Sequence, residues 1–163
     1  MIETKSIRDA MIEYYSGYPK QIQHFIKVEA FASMIAENEA VDRESAICIS
    51  ILGYIHDIGI KLALKKYNSS NGKYQEELGK EPSYKMVIDK GFSEEMAKRV
   101  SYVVAHHHTF SNIDNIEYQI LVEADALVNI YEDNIAQEQI QSIKSKVFKT
   151  KAGISLLNQI YNL

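Results

Sequence analysis

The sequence predicts an all-α protein, a compact and irregular bundle of six to eight helices. Apolar residues recur at the three- and four-residue spacing of a helix along almost the whole chain, and no segment alternates in the manner of a strand. The 163 residues include only two prolines and seven glycines, which is too few for long irregular linkers. The chain is long enough to bury one substantial core, so we expect a single domain over residues 1–163.

The first part of the chain contains three helix-like segments separated by clear breaks. SGYP at 16–19 separates the first two, and Pro19 suits the first turn of the helix that follows. Asp42 is a typical N-cap for the third segment, whose apolar residues lie on all sides, as in a central buried helix. These predicted helices cover about residues 3–15, 19–38 and 42–57.

A polar stretch, NSSNGKYQEELGKEP at 68–82, lacks an apolar face and is rich in turn-forming residues. We expect a loop there, either a lid at a substrate entrance or an inert surface loop. Pro82 then suits the start of a helix that ends at Gly91, and Ser93 suits the N-cap of a helix that continues into a histidine run. The predicted helices of this part cover about residues 60–67, 82–91, 93–108, 117–134, 137–148 and 152–161.

Composition narrows the classes of function and location. The net charge of −4 and the lack of a dense basic stripe argue against binding to nucleic acid polymers or membrane surfaces. KLALKKY at 61–67 is either a solvated helix end or a basic pocket for a small anion. The N-terminus lacks a signal-peptide core, no run of 18 apolar residues occurs, and the single cysteine, Cys48, cannot form an internal disulfide. We therefore expect a cytoplasmic, soluble protein.

Polar residues occupy otherwise apolar helix faces at His56-Asp57 and at three places that could supply partners for this pair, namely His24, Asp125 and a histidine run. His56 and Asp57 lie side by side in the apolar stretch GYIHDIGI at 53–60. His24 shares a helical face with the apolar residues four, seven and eleven positions further on, and Asp125 shares a stripe with apolar residues on either side. An unpaired buried polar group costs roughly 1–3 kcal/mol and a bare charge more, so these side chains need partners.

The third place is the run His106-His107-His108 at the end of a predicted helix, where the partial negative charge favours imidazolium. A positively charged histidine that caps the helix end in this way accounts for only some of the three side chains. His107 lies near the centre of the helix's apolar face, with His106 and His108 towards opposite flanks, so His107 has the strongest reason to point inward.

These inward-facing groups form a mixed set of imidazoles and carboxylates without thiolates. A divalent metal ion is the simplest agent that satisfies all of them at once. The lack of cysteine ligands argues against a closed structural zinc site, and nitrogen with oxygen donors suits Mn²⁺, Fe²⁺, Co²⁺, Ni²⁺, Zn²⁺ or Mg²⁺ with water in open positions. The sequence therefore predicts an open metal site of the hydrolytic kind.

The order of these residues resembles the HD-domain superfamily of metal-dependent phosphohydrolases. The resemblance rests on the four-part pattern of His24, His56, Asp57 and Asp125, and it spans about residues 20–132. It implies that these four residues coordinate one metal ion and that the all-α fold is HD-domain-like. The dipeptide His-Asp alone is common by chance, so the spacing of the whole pattern carries the resemblance.

Family members with two metals have further histidines, and here the resemblance is partial. Glu81 stands at the position that resembles one of them, whereas His106 and His107 resemble a later His-His pair. Either Glu81 replaces a histidine in a second site with His106 and His107, or the second site is absent. The family form HD-x-G-K also ends differently, because Ile60 stands at the lysine position and Lys61 follows.

The resemblance implies hydrolysis of a phosphate ester, of a nucleotide or another small phosphorylated metabolite, by metal-activated water. Asp57 is expected to orient or deprotonate this water. His106 and His107 are expected to bind a second metal, steady the phosphoryl group or protonate the leaving oxygen. Lys61 and Arg99 are the candidates for contact with substrate phosphate.

Two other functions stay open on the sequence. An HD fold with two irons can activate oxygen on a small polyol or phosphonate, but the chain has no histidine between 57 and 106 to complete such a site. A non-catalytic sensor would bind a nucleotide or a metal and report it to a partner, although every core ligand position is retained. The identity of metal and substrate and the oligomeric state, a homodimer included, stay open. The helices at 137–161 are expected to pack on the HD core.

Overall fold

Helices make up the regular secondary structure of the protein. The computed structural model describes residues 2–163, and within them a 3-10 turn at Ile2–Thr4 precedes nine α-helices and no strand occurs. The helices number eight if the third and fourth, which only a short turn separates, are counted together. The predicted all-α class is therefore confirmed. The helices are α1 (Lys5–Tyr14), α2 (Pro19–Asn38), α3 (Arg43–Ile55), α4 (Ile60–Tyr67), α5 (Gly72–Asp89), α6 (Glu94–Val104), α7 (Ile116–Glu132), α8 (Gln137–Val147) and α9 (Lys151–Tyr161).

Local sequence explains several helix boundaries. Pro19 occupies the first turn of α2, as predicted. Asp42 caps α3 by accepting a hydrogen bond from the backbone N–H of Ser45 at 3.0 Å. Ser93 caps α6 in the same way, accepting from the N–H of Met96 at 3.1 Å. The predicted starts of these three helices are confirmed.

The prediction of a loop at 68–82 is wrong, because α5 runs through most of it and Pro82 lies inside this helix instead of starting one. The buried face of α5 consists mainly of small and polar residues at four-residue intervals, which apolar periodicity does not detect. These residues are Gln75, Gly79, Ser83 and Val87. The predicted lid or entrance loop is thus reduced to the few residues between α4 and α5.

Helix α3 lies at the centre of the bundle, and residues 48–55 are all buried. Two glycines let neighbouring helices approach its C-terminal end closely. A Cβ atom at Gly53 would lie 2.5 Å from the Cα atom of Glu29 in α2. A Cβ atom at Gly59 would lie 2.3 Å from the carbonyl oxygen of Gln75 in α5. The segment around His56 therefore packs between α2 and α5, with its backbone in direct contact with the backbones of both helices.

One stretch, Arg43–Tyr67, has the length and composition of a membrane span, with a mean hydropathy of 1.6 in its most apolar window. This stretch comprises α3, α4 and the turn between them. Because 72% of the window is buried inside the domain, its apolarity is that expected of a core helix.

The two C-terminal helices pack against α7 through the buried carboxylate of Glu123. This carboxylate accepts hydrogen bonds from the backbone N–H groups of Lys149 at 2.7 Å and Thr150 at 2.9 Å, both just before α9. The hydroxyl of Thr150 also donates to it, and a Cβ atom at Gly153 would collide with it. The start of α9 is thereby attached to the middle of the helix that carries Asp125.

Candidate metal centre

The four residues of the predicted metal set come together from three segments of the chain. His24 lies on α2, His56 and Asp57 lie in the turn that follows α3, and Asp125 lies on α7. Each residue is at most 9% exposed. One ligand atom from each of the four lies within 4.8 Å of the others. The tertiary structure therefore assembles the set that the sequence pattern selected.

The Nε2 atoms of both histidines face the same two carboxylate oxygens. Nε2 of His24 lies 3.2 Å from Oδ1 of Asp125 and 3.7 Å from Oδ2 of Asp57. Nε2 of His56 lies 3.5 and 3.4 Å from the same atoms. Donor atoms that share one ion at bond lengths of about 2.0–2.2 Å are about 2.8–3.6 Å apart in octahedral or tetrahedral sites. The spacing therefore fits a single divalent ion.

The other ring nitrogen of each histidine is already occupied. Nδ1 of His24 lies 2.9 Å from Oε2 of Glu132, and Nδ1 of His56 lies 3.3 Å from the carbonyl oxygen of Gly53. In a neutral ring Nδ1 then carries the proton, and the lone pair of Nε2 points at a carboxylate oxygen. Two lone pairs in that arrangement repel unless a proton or a cation lies between them. The donor chemistry of the site thus fits a metal ion.

The second oxygen of Asp57 faces a different pair of imidazoles. Its Oδ1 lies 2.8 Å from Nε2 of His107 and 3.4 Å from Nε2 of His108. Nδ1 of His107 is occupied by the carbonyl oxygen of Val104 at 2.9 Å, and Nε2 of His108 also lies 3.1 Å from Oε1 of Gln75. These groups form a second set able to hold a metal ion, with Asp57 shared between the two sets.

The cluster shifts the pKa values of its members in opposite directions. Burial would lower the pKa of His56, but the charge of Asp57 and the hydrogen bond to Asp125 outweigh it and hold this pKa well above its usual value. Burial would raise the pKa of Asp57, but the charge of His56 and hydrogen bonds from His107 and His108 hold this pKa well below its usual value. The carboxylates therefore attract positive charge to this point, whether as protons on imidazole or as a metal ion.

Two predicted members of a second site lie elsewhere. His106 is exposed, with Nδ1 2.7 Å from the carbonyl oxygen of Tyr102 and its ring stacked on the ring of Tyr102 at a centroid distance of 4.4 Å. Helix α6 ends at Val104, so the three histidines lie in a turn and not on the helical face used to predict their directions. Glu81 is exposed on α5 and belongs to neither donor set. His108, and not His106 or Glu81, accompanies His107.

A polar cavity of about 280 Å³ opens onto both donor sets. Its walls come from the start of α2, the region between α4 and α5, and the end of α7. They include Lys20, Gln21, Ser70, Gln75, Asn129 and Glu132. Both donor sets therefore border an open space, through His24, Asp57 and His108.

The two cations predicted to contact phosphate do not line this cavity. Nζ of Lys61 donates to the carbonyl oxygen of Tyr14 at 2.8 Å. Arg99 forms a two-pronged ion pair with Asp114 at 2.8 and 2.9 Å. Lys20, in the first turn of α2, lines the cavity instead. The one sequence signal for this placement is that Lys20 stands one helical turn before the core residue His24.

Sequence reasoning also missed Tyr15, which is fully buried and positions the turn that carries Asp57. Its hydroxyl lies 3.1 Å from the carbonyl oxygen of Asp57 and 3.0 Å from that of Ile58. The same hydroxyl accepts a hydrogen bond from the backbone N–H of Lys61 at 3.3 Å. One side chain from the end of α1 thus satisfies backbone groups on both sides of the turn.

The all-helical fold and the buried cluster of histidines and aspartates beside a cavity are features of a superfamily of metal-dependent hydrolases. The family model of the HD domain matches residues 22–130, more than half of the chain, and the chain belongs to this family. The predicted membership of the HD-domain superfamily is therefore confirmed.

A solved structure has the same fold. The crystal structure of a predicted HD superfamily hydrolase from an uncultured Thermotogales bacterium is similar to this chain, with a TM-score of 0.71 and 24% sequence identity. The similarity covers 96% of this chain and 83% of that one. At this identity the likeness shows the fold. No match is found among the curated proteins.

Proposed function

We propose that the chain is a phosphohydrolase that acts on a nucleotide or another small phosphorylated metabolite with a divalent metal ion held by His24, His56, Asp57 and Asp125. The observation that supports this most is the convergence of their four ligand atoms beside an open, polar cavity. Structural metal sites are closed by protein ligands, whereas catalytic sites keep positions free for water and substrate.

The residues around the site supply orientation and charge. A divalent ion, whether Mn²⁺, Fe²⁺, Co²⁺, Ni²⁺, Zn²⁺ or Mg²⁺, supplies a water of lowered pKa and positive charge for a phosphoryl group when it is bound here. Glu132 and the carbonyl of Gly53 hold the rings of His24 and His56 with Nε2 towards the cluster. Where no second metal ion is bound, Oδ1 of Asp57, which the first donor set does not use, is the group that would accept a proton from the attacking water.

The imidazoles of His107 and His108 complete the cavity wall in one of two roles. With Oδ1 of Asp57 they hold a second metal ion, or they contact the phosphoryl oxygens and the leaving oxygen directly. In either role water adds to phosphorus and gives up a proton, the P–O bond to the leaving group breaks, and the leaving oxygen takes up a proton from an imidazole or from solvent.

Lys20 replaces Lys61 in this proposal as the cation that contacts the substrate phosphate. We expect Lys20→Met to raise KM several-fold with little change in kcat, because a cation that binds substrate and transition state equally affects mainly KM. Lys61→Met is the matched control, since its ammonium group is bound to Tyr14 away from the cavity. An unchanged KM in Lys20→Met would contradict this role.

The decisive experiment is reconstitution of the metal-free protein with each ion separately, followed by measurement of phosphate released from a panel of phosphate esters. We expect release by the wild type and at least a hundredfold loss in Asp57→Asn, with metal content reduced in parallel. Asp89→Asn, which alters an exposed aspartate on α5, is the matched control. Full metal occupancy with unchanged turnover in Asp57→Asn would refute the proposal.

The second donor set gives some support to one alternative, a di-iron oxygenase, because that chemistry needs two metals. Gln75 stands beside His108 where a further imidazole would strengthen an iron site, which favours hydrolysis. Two irons per chain with oxygen consumption and no phosphate release would favour the oxygenase over the phosphohydrolase. Ligand binding without turnover of any ester would instead favour a sensor.

A further inference from the structure

A second cavity, of about 240 Å³, adjoins the polar one. The two cavities share His108, Asn129 and Asp133 as wall residues. Asp125, which belongs to the first donor set, also lies in the wall of the second cavity. Its amide neighbour Asn129 donates to Oδ1 of Asp125 at 3.0 Å, so the edge of the second cavity next to the metal donors is polar.

The second cavity has an apolar character that the first lacks. Seven of its eleven wall residues are apolar, and they come from α7, α8, the turn between these helices and the segment after α6. They include Val122, Ala126, Ile130, Ile143 and Val147. A space with apolar walls favours apolar groups, because burial of each Å² of such surface contributes roughly 25 cal/mol.

Phe110 stands at the edge of this cavity and is 56% exposed. The ring is a flat apolar surface in the same wall as His108, which borders both cavities. Planar groups pack well against such a ring in stacked or edge-on contact.

We propose that the substrate carries an apolar, ring-sized group close to its phosphate, and that the apolar cavity binds this group while the phosphate lies at the metal donors. This inference rests on the proposed phosphohydrolase function and narrows its substrate class. Each cavity alone is smaller than a usual small-molecule site, whereas together they reach the range of about 300–1,000 Å³. Because His108 and Asp125 border the apolar space, the ring and the phosphate are joined directly or by a short linker.

Non-hydrolysable phosphonates test the apolar cavity separately from turnover. The affinities of phenylphosphonate and methylphosphonate for the Mn²⁺-loaded protein are measured by calorimetry. We expect phenylphosphonate to bind the wild type about tenfold more tightly, because the phenyl ring gains apolar burial that the methyl group cannot.

Two variants assign this preference to the cavity. Ala126→Leu fills part of the cavity and is expected to reduce the tenfold preference to less than about threefold. Phe110→Ala alters an exposed side chain, carries little risk for folding, and is expected to reduce the preference about threefold. Ala10→Leu is the matched control, because Ala10 is half-buried in the wall of a separate cavity between α1 and α5 and should leave the preference intact.

Equal affinities of the two phosphonates for the wild type would overturn the inference, and so would equal effects of Ala126→Leu and Ala10→Leu. Phosphate release from small esters is measured in parallel. Turnover without a preference for aromatic esters or phosphonates refutes the apolar subsite and leaves the proposed hydrolysis standing. A clear phenyl preference without any phosphate release supports the subsite and counts against the proposed hydrolysis.

Discussion

Replacement of Glu132 tests how the metal centre is built around His24. Oε2 of Glu132 lies 2.9 Å from Nδ1 of His24, and Oε1 pairs with Nζ of Lys27 at 2.6 Å. The Glu132 side chain is only 17% exposed. A carboxylate in this position holds the imidazole in the tautomer that presents Nε2 to a metal and makes that nitrogen a stronger ligand.

The expected loss of metal affinity depends on which groups each substitution of Glu132 leaves beside His24. Removal of such an outer partner typically weakens metal binding about 10–100-fold, or about 1.4–2.7 kcal/mol. Glu132→Gln keeps an oxygen that accepts from Nδ1 and removes the charge, so we expect a loss of about tenfold. Glu132→Ala removes both, so we expect a loss of about a hundredfold.

The assay is competition for metal between the metal-free protein and a chelating dye. Lys27→Met is the matched control, because it removes the other partner of Glu132 and leaves the contact with His24 in place. We expect its metal affinity to stay within about threefold of wild type, since the ammonium group of Lys27 is partly exposed and water screens this ion pair. Wild-type affinity in both Glu132 variants, or an equal loss in Lys27→Met, would refute this account of the site.

Three further predictions concern packing, the histidine run and pH. Gly59→Ala should reduce the free energy of unfolding in urea by about 2–4 kcal/mol, because its Cβ atom would lie 2.3 Å from the backbone oxygen of Gln75. Gly91→Ala, at a φ of +85° with nothing within 4 Å, should cost only about 1 kcal/mol. His108→Ala should reduce phosphate release, and metal content as well where the second donor set holds an ion, whereas His106→Ala should change neither. The rise in Tm on metal addition should grow between about pH 5.5 and 8, as calorimetric scans would show.

The sign of the pH effect follows from the shifted pKa values. A raised imidazole pKa stabilises the metal-free fold below about pH 6.5, and this contribution is lost as the pH rises through the folded-state pKa of His56. A lowered carboxylate pKa contributes stability above about pH 4 and loses it on further acidification. Metal binding requires neutral imidazole rings, so the affinity for metal rises as the histidines lose their protons.

Each of these predictions has a contradicting outcome. Equal losses in the two glycine variants would mean that the contact between the turn and α5 is not tight. Loss of metal in His106→Ala would mean that this ring turns inward in solution. A metal-induced rise in Tm that is independent of pH would mean that metal and protons do not compete at the imidazoles.

Local signals in the sequence were sufficient for the fold class and for most helix starts. Pro19, Asp42 and Ser93 act through hydrogen bonds and backbone geometry within a few residues, so their effect can be read from the neighbouring sequence. The face of His24 was predictable for the same reason, because α2 continues unbroken past it. Helix α5 was not predictable from apolar periodicity, because its buried face relies on small and polar residues that fit against other segments.

The histidine run shows where local extrapolation fails. The predicted directions of the three rings assumed a helix through 108, but α6 ends at Val104 and the turn that follows reverses the roles of His106 and His108. A Cβ atom at Gly72 would lie 2.8 Å from the ring of His108, so α5 begins in direct contact with that ring. Contacts of this kind involve residues far apart in the chain and leave no periodic signal.

The sequence by itself determined the all-α class, the caps and the four buried donors that need a common partner, because helical spacing and the cost of burying charge act on each segment separately. Only the tertiary structure decided that His108 accompanies His107, that Lys20 replaces Lys61 beside the cavity, and that Glu132 supports His24. These outcomes depend on distances between helices, and packing at positions such as Gly59 sets those distances.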